Sequence, residues 1–401
     1  MIQSSTEDLH SPMRPNEVHR IILPGWYGCR MTEQRQRIAE LDGIRGLAIL
    51  MVLFWHYFGD PPKYLTPDTF VSYLMIATRL FWSGVDLFFI LSGYLICGII
   101  LDNHSKQRFL TTFFIRRAAR ILPLYCFLLL LYLLLRSQLD TVQFSWLFSN
   151  PIPFWSYVAF LQNVMMGVEE HFGGNFLGIS WSLAVEEQFY LLAPLIILII
   201  GRQRWIRGMV PLIVLAAALR VGFSFRFFSY VNTPFRMDSL LLGGIIAVLI
   251  RNNLAFALLR QHRSSIFWTF VVGVILIATI SFHMQVNALT YSVFGLFYAV
   301  FLLTVILYRD DALTGALRWR PLRFCGSIAY SLYMYHQAVN GLFHGMIRRA
   351  SPSLETSGGL LVTLLALVVT FMISVVSFRY FEGWFVRIGH SFDYGECRTD
   401  S

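Results

Sequence analysis

Residues 37–56, RIAELDGIRGLAILMVLFWH, decide the fold, because a short charged run passes directly into a continuous apolar helix. Arg45 lies at the mouth of this helix and His56 lies within it. At about 1.5 Å per residue, the two are separated by roughly 16 Å along the helix axis, which puts His56 near the middle of a hydrocarbon core about 30 Å thick. An ionisable group at that depth is costly and suggests a function, although a neutral histidine bonded to a neighbouring helix fits the same position.

The composition is that of a polytopic membrane protein. Of the 401 residues, 56% are hydrophobic and only 14% are charged, whereas soluble proteins carry about 25% charged residues. The formal net charge of +9 indicates basic cytoplasmic loops rather than a nucleic-acid partner. The five cysteines are scattered and predict neither a disulfide framework nor a metal site. We expect Cys97 and Cys126, which fall in apolar helices, to be free and buried.

Hydropathy predicts an all-α integral membrane bundle of about ten transmembrane helices. The predicted spans are residues 41–58, 80–101, 121–137, 181–200, 208–225, 236–250, 265–281, 289–308, 326–348 and 359–378. A further apolar piece, 152–166, contains Pro153, Gln162 and Asn163, so it could be a short span or a re-entrant segment.

Charge distinguishes the two readings of residues 152–166. The basic loops are residues 102–120, 201–207, 251–263 and 309–323. All four face the cytoplasm only if 152–166 does not cross the membrane. The positive-inside rule therefore favours ten spans, with both the N- and the C-terminus cytoplasmic.

The chain divides into a membrane domain and two polar ends. Residues 1–36 form a polar, basic segment without the apolar run of a cleavable signal peptide, and we interpret them as a cytoplasmic tail. Residues 37–387 form the transmembrane domain, and residues 388–401 a second cytoplasmic tail. We expect a multi-pass protein of the plasma membrane, in a bacterium the inner membrane.

A second histidine is predicted at the depth of His56. His336, in SLYMYHQ, lies about ten residues into a span that begins on the cytoplasmic side. Two histidines at matched depth within the membrane are less easily explained by packing alone than one. A packed histidine among aromatic neighbours is the alternative for His336.

Four acidic residues fall in apolar runs, namely Asp86, Glu186, Glu187 and Asp238. Glu186 and Glu187 are adjacent, so on a helix they point about 100° apart and cannot both face one cavity. A carboxylate close to His56 could fix the tautomer of that histidine. An acid near a helix end is otherwise solvated or paired.

Arginines occur at both ends of the predicted bundle. In FFIRRAARILPLY, Arg116 and Arg120 lie four residues apart on one helix face, with Arg117 beside them. Guanidinium groups at a cytoplasmic mouth suit a phosphorylated ligand, and anchoring to anionic lipid headgroups is the alternative. Arg236 and Asp238 open the helix PFRMDSLLLGG on the outer side.

Several of these motifs, in this order, resemble the membrane acyltransferase family 3, the O-acyltransferases that modify cell-surface glycans, Nod factors and some antibiotics. The resemblance covers residues 37–387. It rests on LDGIRG…FWH with Arg45 and His56, GVDLFFILSGYLI, RRAARILPLY, WSLAVEEQFYLL, FRMDSLLLG, SLYMYH and RYFEGWF. One departure is that the family commonly has Glu followed one residue later by Pro in the closing motif, whereas here Gly383 and Trp384 follow Glu382.

The resemblance implies an enzyme that transfers an acyl group from cytoplasmic acyl-CoA, most simply acetyl-CoA, to a hydroxyl of a glycan. It implies ten spans and no metal. His56 would be the general base or a transient acyl carrier, Glu186 would orient His56 or the acceptor, and Arg45 would neutralise charge or contact CoA. The predicted phosphate ligands are Arg116, Arg117 and Arg120. The predicted substrate-binding or supporting residues are His336, Asp86, Glu187, Arg236 and Asp238.

Two other classes fit parts of the pattern. A transporter or flippase of a glycan or an acylated metabolite also needs charges within the membrane, but we find no matched halves or discontinuous helices in the sequence. An acyltransferase of the MBOAT type also uses an intramembrane histidine. It lacks the spacing of ten residues between Arg45 and His56 in its first span. The oligomeric state and the acceptor are not predicted.

Overall fold

A computed structural model describes residues 38–59, 79–200, 204–223, 227–281 and 287–396 of the chain. Within these ranges the regular structure is helical and contains no β-strand. The predicted N-terminal tail, residues 1–36, lies outside the described residues, as do Cys29 and Cys397.

Eighteen helices follow one another along the described chain. The first nine are α1 Ala39–Phe54, α2 Gly84–Asn103, α3 Phe109–Gln138, α4 Ser145–Phe148, α5 Phe154–Val158, α6 Gln162–Glu169, α7 Asn175–Gly178, α8 Ser180–Ile200 and α9 Trp205–Gly222. The second nine are α10 Phe227–Val231, α11 Thr233–Arg251, α12 Asn253–Gln261, α13 Arg263–Ser281, α14 Thr290–Leu307, α15 Arg320–Ser327, α16 Ala329–Arg348, α17 Ser357–Ser377 and α18 Gly383–Ser391.

Two π-helical turns interrupt the regular helices. The first, Trp55–Gly59, continues α1, and the second, Phe378–Glu382, joins α17 to α18. Short 3₁₀ turns, Phe81–Ser83 and Ala312–Arg318, precede α2 and α15. Inserted π turns are frequent at functional sites, and here they contain His56 and Glu382.

The prediction of an all-α polytopic membrane protein is confirmed. Seven helical stretches of the described residues are long and apolar enough to cross a membrane. The number rises to eight if α12 and α13, which are bent by 67° relative to each other, count as one span. Each of the ten predicted spans coincides with a helix. The two beyond those eight are α8, with 21 residues, and α16, with 20.

The polar character of α16 explains why composition alone does not identify it as a span. His336, Asn340 and His344 are all buried within it, at 0%, 3% and 0% exposure. The helix is surrounded by other helices rather than by lipid, so its polar side chains meet partners inside the protein.

Residues 152–166 do not cross the bundle. They form α5 and the first half of α6, helices of five and eight residues that reach at most about 12 Å. Their polar groups bond inward. Gln162 donates to the Ser180 carbonyl oxygen at 3.0 Å, and Gln188 of α8 donates to the Phe160 carbonyl oxygen at 2.8 Å. The segment therefore does not form a membrane-spanning helix.

Close contacts between helices fix the centre of the bundle. A Cβ atom on Gly93 of α2 would lie 1.8 Å from the Leu240 carbonyl oxygen of α11, and one on Gly243 would lie 2.0 Å from the Ile90 carbonyl oxygen of α2. Only glycine permits this approach at either position. The packing places Asp86 of α2 close to Arg236 of α11.

One end of the bundle carries most of the arginines, and we call it the basic end. It contains the beginnings of α1 and α3, the last turns of α2 and α11, and residues 309–323. Arg318 bonds Glu40 at 2.8 Å, which joins residues 309–323 to α1. Arg251 bonds Asp102 at 2.6 Å, which joins the last turn of α11 to that of α2. It corresponds to the side that the sequence predicts to be cytoplasmic.

The described part of the predicted C-terminal tail, residues 388–396, is packed against the bundle. α18 ends at Ser391, and the residues after it bond to the beginning of α3.

The prediction for the two intramembrane cysteines is half correct. Cys97 is free and buried, whereas Cys126 is free and exposed. The prediction for Cys126 is wrong because α3 lies at the edge of the bundle, so an apolar residue on its outer face does not have to be covered by protein. Phe127 and Leu130, beside Cys126, are exposed as well.

Candidate active site

The two histidines that the sequence places at similar depth are in contact. Nε2 of His336 lies 3.0 Å from Nδ1 of His56, and the ring centres are 4.8 Å apart. The π turn at the end of α1 presents His56, and α16 presents His336. His336 is fully buried, whereas His56 is partly accessible.

A backbone carbonyl sets the tautomers of this pair. Nδ1 of His336 lies 2.6 Å from the Tyr333 carbonyl oxygen, which can only accept a hydrogen bond. With both rings neutral, His336 therefore carries its proton on Nδ1 and accepts at Nε2 from the Nδ1–H of His56. The remaining nitrogen of His56, Nε2, keeps its lone pair and is available as a base or nucleophile.

Two tyrosines hold His336 in place. The Tyr57 hydroxyl donates to the His336 carbonyl oxygen at 3.0 Å and lies 2.8 Å from Oγ1 of Thr370 on α17. The Tyr333 hydroxyl lies 2.5 Å from Oγ of Ser182 on α8. These bonds hold the backbone around His336, whereas its imidazole is held by the Tyr333 carbonyl oxygen and by His56.

Glu186 does not bond to His56, although the sequence suggested that it orients this histidine. Its Oε1 accepts from Ser92 at 3.0 Å and its Oε2 from Tyr190 at 2.7 Å. It lies one turn after Ser182, which bonds Tyr333, so it is connected to the histidine pair only through other side chains. The group that contacts His56 is His336.

Glu187 points in a different direction from Glu186, as their adjacent positions on α8 require. Its Oε1 is buried and has no hydrogen-bond partner among the described residues. The role of Glu187 as a substrate-binding or supporting residue stays a prediction.

A cavity of about 600 Å³ opens at the basic end. Its wall combines Arg45, Arg120 and Arg251 with Asp42, Asp102 and Glu382, and it also contains Tyr94, Tyr330 and His390. Arg251 is neutralised by Asp102 through two hydrogen bonds of 2.7 and 2.6 Å.

The three arginines predicted to hold phosphates have different surroundings. Arg120 is exposed to the cavity and makes no hydrogen bond to another described residue. Arg117 lies over the ring of Tyr190 at 5.7 Å. Arg116 is outside the cavity lining and donates from Nε and Nη2 to the Phe392 carbonyl oxygen. Arg120 is therefore the group best placed for an anion, whereas Arg45, which also lines the cavity, is paired with Asp42 at 3.3 Å.

Glu382 belongs to the cavity although its sequence motif departs from the family pattern. The π turn directs its carboxylate inward, where Oε1 accepts from the hydroxyls of Ser331 at 2.6 Å and Ser377 at 2.7 Å. Only 4% of the residue is exposed. The missing proline therefore does not displace the carboxylate from the site.

The acidic and basic residues at the far end of the bundle form buried ion pairs. Arg236 bonds Asp86 at 2.8 Å and lies 4.1 Å above the ring of Tyr291. Asp238 pairs with Arg220 of α9, which is fully buried and was not among the residues singled out from the sequence. An arginine within a predicted apolar span, residues 208–225, was the available signal.

Among the described residues there is no group of three or more His, Cys, Asp and Glu side chains that could hold a metal ion. Neither His56 nor His336 lines the cavity at the basic end, so the histidine pair and the cavity are two separate parts of the candidate site.

The family model described as an acyltransferase domain matches residues 38–379, from the beginning of α1 to the second π turn. The chain belongs to acyltransferase family 3. Membership confirms the resemblance seen in the sequence motifs, and the matched region is an acyltransferase domain. The match contains both histidines and most of the cavity.

The chain is also similar to three named bacterial proteins. The chain is 26% identical to the peptidoglycan O-acetyltransferase OatA of Listeria monocytogenes over 372 residues, which cover 87% of this chain and 56% of OatA. It is 24% identical to the O-acetyltransferase OatA of Staphylococcus aureus, with 85% and 56% covered. It is 26% identical to YrhL of Bacillus subtilis, with 77% and 49% covered.

The chain thus spans about half the length of these curated relatives. No solved structure matches this family member.

Proposed function

We propose that the protein transfers an acyl group, most simply acetyl, from cytoplasmic acyl-CoA to a hydroxyl of an extracytoplasmic or membrane-associated glycan. The observation that carries this proposal is the histidine pair, in which a fixed hydrogen-bond chain leaves Nε2 of His56 free. The relatives named as peptidoglycan O-acetyltransferases support a glycan as the acceptor class.

The cavity at the basic end is the proposed donor site. Arg45 and Arg120 line it, and Arg120 makes no salt bridge or hydrogen bond to another described residue, so its guanidinium suits a phosphate group. The abundance of arginine at this end favours a cytoplasmic orientation, which is the side on which acyl-CoA is present. The proposed membrane is the bacterial inner membrane.

The reaction can be written with His56 as the only proton carrier. Nε2 of His56 takes the proton of the acceptor hydroxyl while the hydroxyl oxygen attacks the thioester carbonyl carbon. The carbon–sulfur bond then breaks, and the thiolate of CoA receives the proton from Nε2. His336 acts as a positioning residue, because it keeps the other nitrogen of His56 protonated throughout.

The same nitrogen also permits a two-step route. Nε2 of His56 attacks the thioester, CoA leaves as the thiolate, and the acyl group resides on the imidazole until the acceptor hydroxyl displaces it. When the imidazole is displaced, Nε2 of His56 takes the proton of that hydroxyl and releases it again, which balances the proton that the CoA thiolate takes up. Two steps would allow the donor and the acceptor to approach from opposite ends of the bundle.

The proposal is tested with membranes that contain the protein and labelled acetyl-CoA. Label entering extractable glycan is compared between the wild type and His56→Ala at matched expression. We expect transfer to fall by a factor of about 10² to 10⁴ in the variant. Equal transfer by both proteins would eliminate His56 as the reacting group, and no transfer by the wild type from acetyl-CoA would reject this donor.

A further inference from the structure

The chain does not leave the bundle after α18. Residues 392–396, which we call the C-terminal strap, run along the first turns of α3. Four carbonyl oxygens of the strap accept hydrogen bonds. The pairs, with the donor first, are Arg116 and Phe392 at 2.6 Å, Thr112 and Asp393 at 2.8 Å, Arg108 and Tyr394 at 3.1 Å, and Gln107 and Glu396 at 3.0 Å.

Arg116 is the residue that fastens the strap most extensively. Its Nε and Nη2 both donate to the Phe392 carbonyl oxygen, at 3.1 and 2.6 Å, and its guanidinium lies 4.7 Å from the ring centre of Tyr394. Tyr394 is buried and stacks on Phe109 of α3. Two of the Arg116 nitrogens that could bind a phosphate therefore already donate hydrogen bonds to the strap.

His390 connects the strap to the donor cavity. It lies two residues before Phe392 and lines the cavity together with Arg45 and Arg120. The last turn of α18 rests directly on α3, because a Cβ atom on Gly389 would lie 2.8 Å from Cβ of Ala119. The strap thus anchors the end of the helix that carries His390.

We infer that Arg116 serves the donor cavity through the strap: it fixes the end of α18 and so holds His390 in the cavity wall, where the imidazole binds a phosphate group of acyl-CoA. This inference rests on the proposed function for the identity of the donor. Arg116 is then a positioning residue, whereas His390, Arg45 and Arg120 contact the donor.

A disulfide that ties the strap to α3, which we call the lock, distinguishes the positioning role of Arg116 from direct phosphate binding. A Cβ atom on Gly395 would lie 3.9 Å from Cβ of Gln107, which is within the range for a disulfide. Gln107→Cys and Gly395→Cys, in a Cys397→Ser background, can therefore tie the strap to α3. Because Gly395 has a φ of +76°, a cysteine there is strained, so the locked protein with native Arg116 is the reference.

The readouts are binding of CoA itself to detergent-purified protein by calorimetry and the KM for acetyl-CoA in membranes. Without the lock, we expect Arg116→Ala to weaken CoA binding and raise this KM by about tenfold, because it loses charged hydrogen bonds and a cation–π contact. With the disulfide formed, Arg116→Ala should return to within about twofold of the locked reference, and reduction of the disulfide should restore the defect.

His390→Ala and Arg260→Ala are the matched controls. His390→Ala should show the same weakened CoA binding, and the lock should not correct it. Arg260, on α12 at the basic end, is exposed, and its replacement should leave CoA binding unchanged.

The outcomes are distinct. An Arg116→Ala defect that persists in the locked protein would overturn the inference and assign Arg116 to the donor itself, and normal CoA binding by His390→Ala would overturn the role of His390. Failure of the wild type to bind CoA would overturn the proposed donor along with this inference, whereas the first two results leave the donor in place.

Discussion

The carbonyl oxygen of Tyr333 lies 2.6 Å from Nδ1 of His336, and this contact determines which nitrogen of the histidine pair is free. His336→Ala removes the acceptor of the His56 Nδ1–H, so the imidazole can rotate or change tautomer. We expect kcat to fall roughly 10- to 100-fold, by analogy with the loss of the partner that orients a metal-bound histidine, with the KM for acetyl-CoA unchanged.

His336→Gln is the conservative control for this prediction. The carbonyl group of glutamine reaches about as far as Nε2 of histidine and can accept from His56, so this variant should retain more activity than His336→Ala. Equal activity of the two variants would contradict the orienting role, and activity abolished in both would indicate that His336 reacts directly. Steady-state rates at saturating donor distinguish these cases.

The matched depth of the two histidines could be predicted from the sequence, but the contact between them was not predicted. An ionisable side chain within an apolar span needs a partner inside the protein, and two such histidines at similar depth are natural partners. Glu186 satisfied the same rule, but the rule does not say which partner is chosen. The rotation of α8 decides that, and it directs Glu186 toward Ser92 and Tyr190.

The C-terminal strap could not be predicted, for a different reason. It is held largely through backbone carbonyl oxygens, which every residue possesses, so no pattern of side chains records the contact. Arg116 and Arg120 are equivalent on a helical wheel, yet one bonds Phe392 and the other faces the cavity. Only the position of α18 separates their roles.

Arg120 provides the second prediction, because it faces the cavity without a hydrogen-bond partner among the described residues. A hydrogen bond between charged groups contributes about 1.5–3 kcal/mol, so Arg120→Ala should raise the KM for acetyl-CoA roughly tenfold or more. Arg120→Lys should give an intermediate value, because an ammonium group keeps the charge but loses the planar fork.

The measurement for Arg120 is the initial rate as a function of acetyl-CoA concentration, with Arg260→Ala as the control for a lost positive charge. A KM for Arg120→Ala equal to that of the wild type would reject Arg120 as a donor ligand. A change confined to the KM for the acceptor would instead assign it to the glycan.

Glu382 provides the third prediction, which concerns stability. Its Oε1 is the acceptor for the hydroxyls of Ser331 and Ser377, both of which would lose this partner in Glu382→Ala. A buried donor left unsatisfied costs about 1–3 kcal/mol, so the free energy of unfolding should fall by about that amount or more. Glu382→Gln keeps an oxygen acceptor and should lose less.

Unfolding of Glu382 variants in detergent can be followed by the exposure of buried cysteines, of which Cys97 is one. Ser331→Ala combined with Glu382→Ala tests the mechanism, because the double variant should be no less stable than Glu382→Ala alone. A double variant that loses the sum of both effects would argue against a shared hydrogen bond.

The ion pair between Asp86 and Arg236 provides the last prediction. Both side chains are buried, at 1% and 2% exposure, so Arg236→Met leaves an uncompensated carboxylate and should destabilise the protein by about 3–5 kcal/mol. Removing both charges, in Asp86→Leu with Arg236→Met, should recover most of the stability, because a buried pair contributes little beyond a well-packed apolar one. Apparent unfolding temperatures of the wild type, both single variants and the double variant test this expectation. Acyl transfer by the double variant then separates two roles: activity that returns with stability assigns the pair to the fold, whereas a stable but inactive protein assigns it to the acceptor.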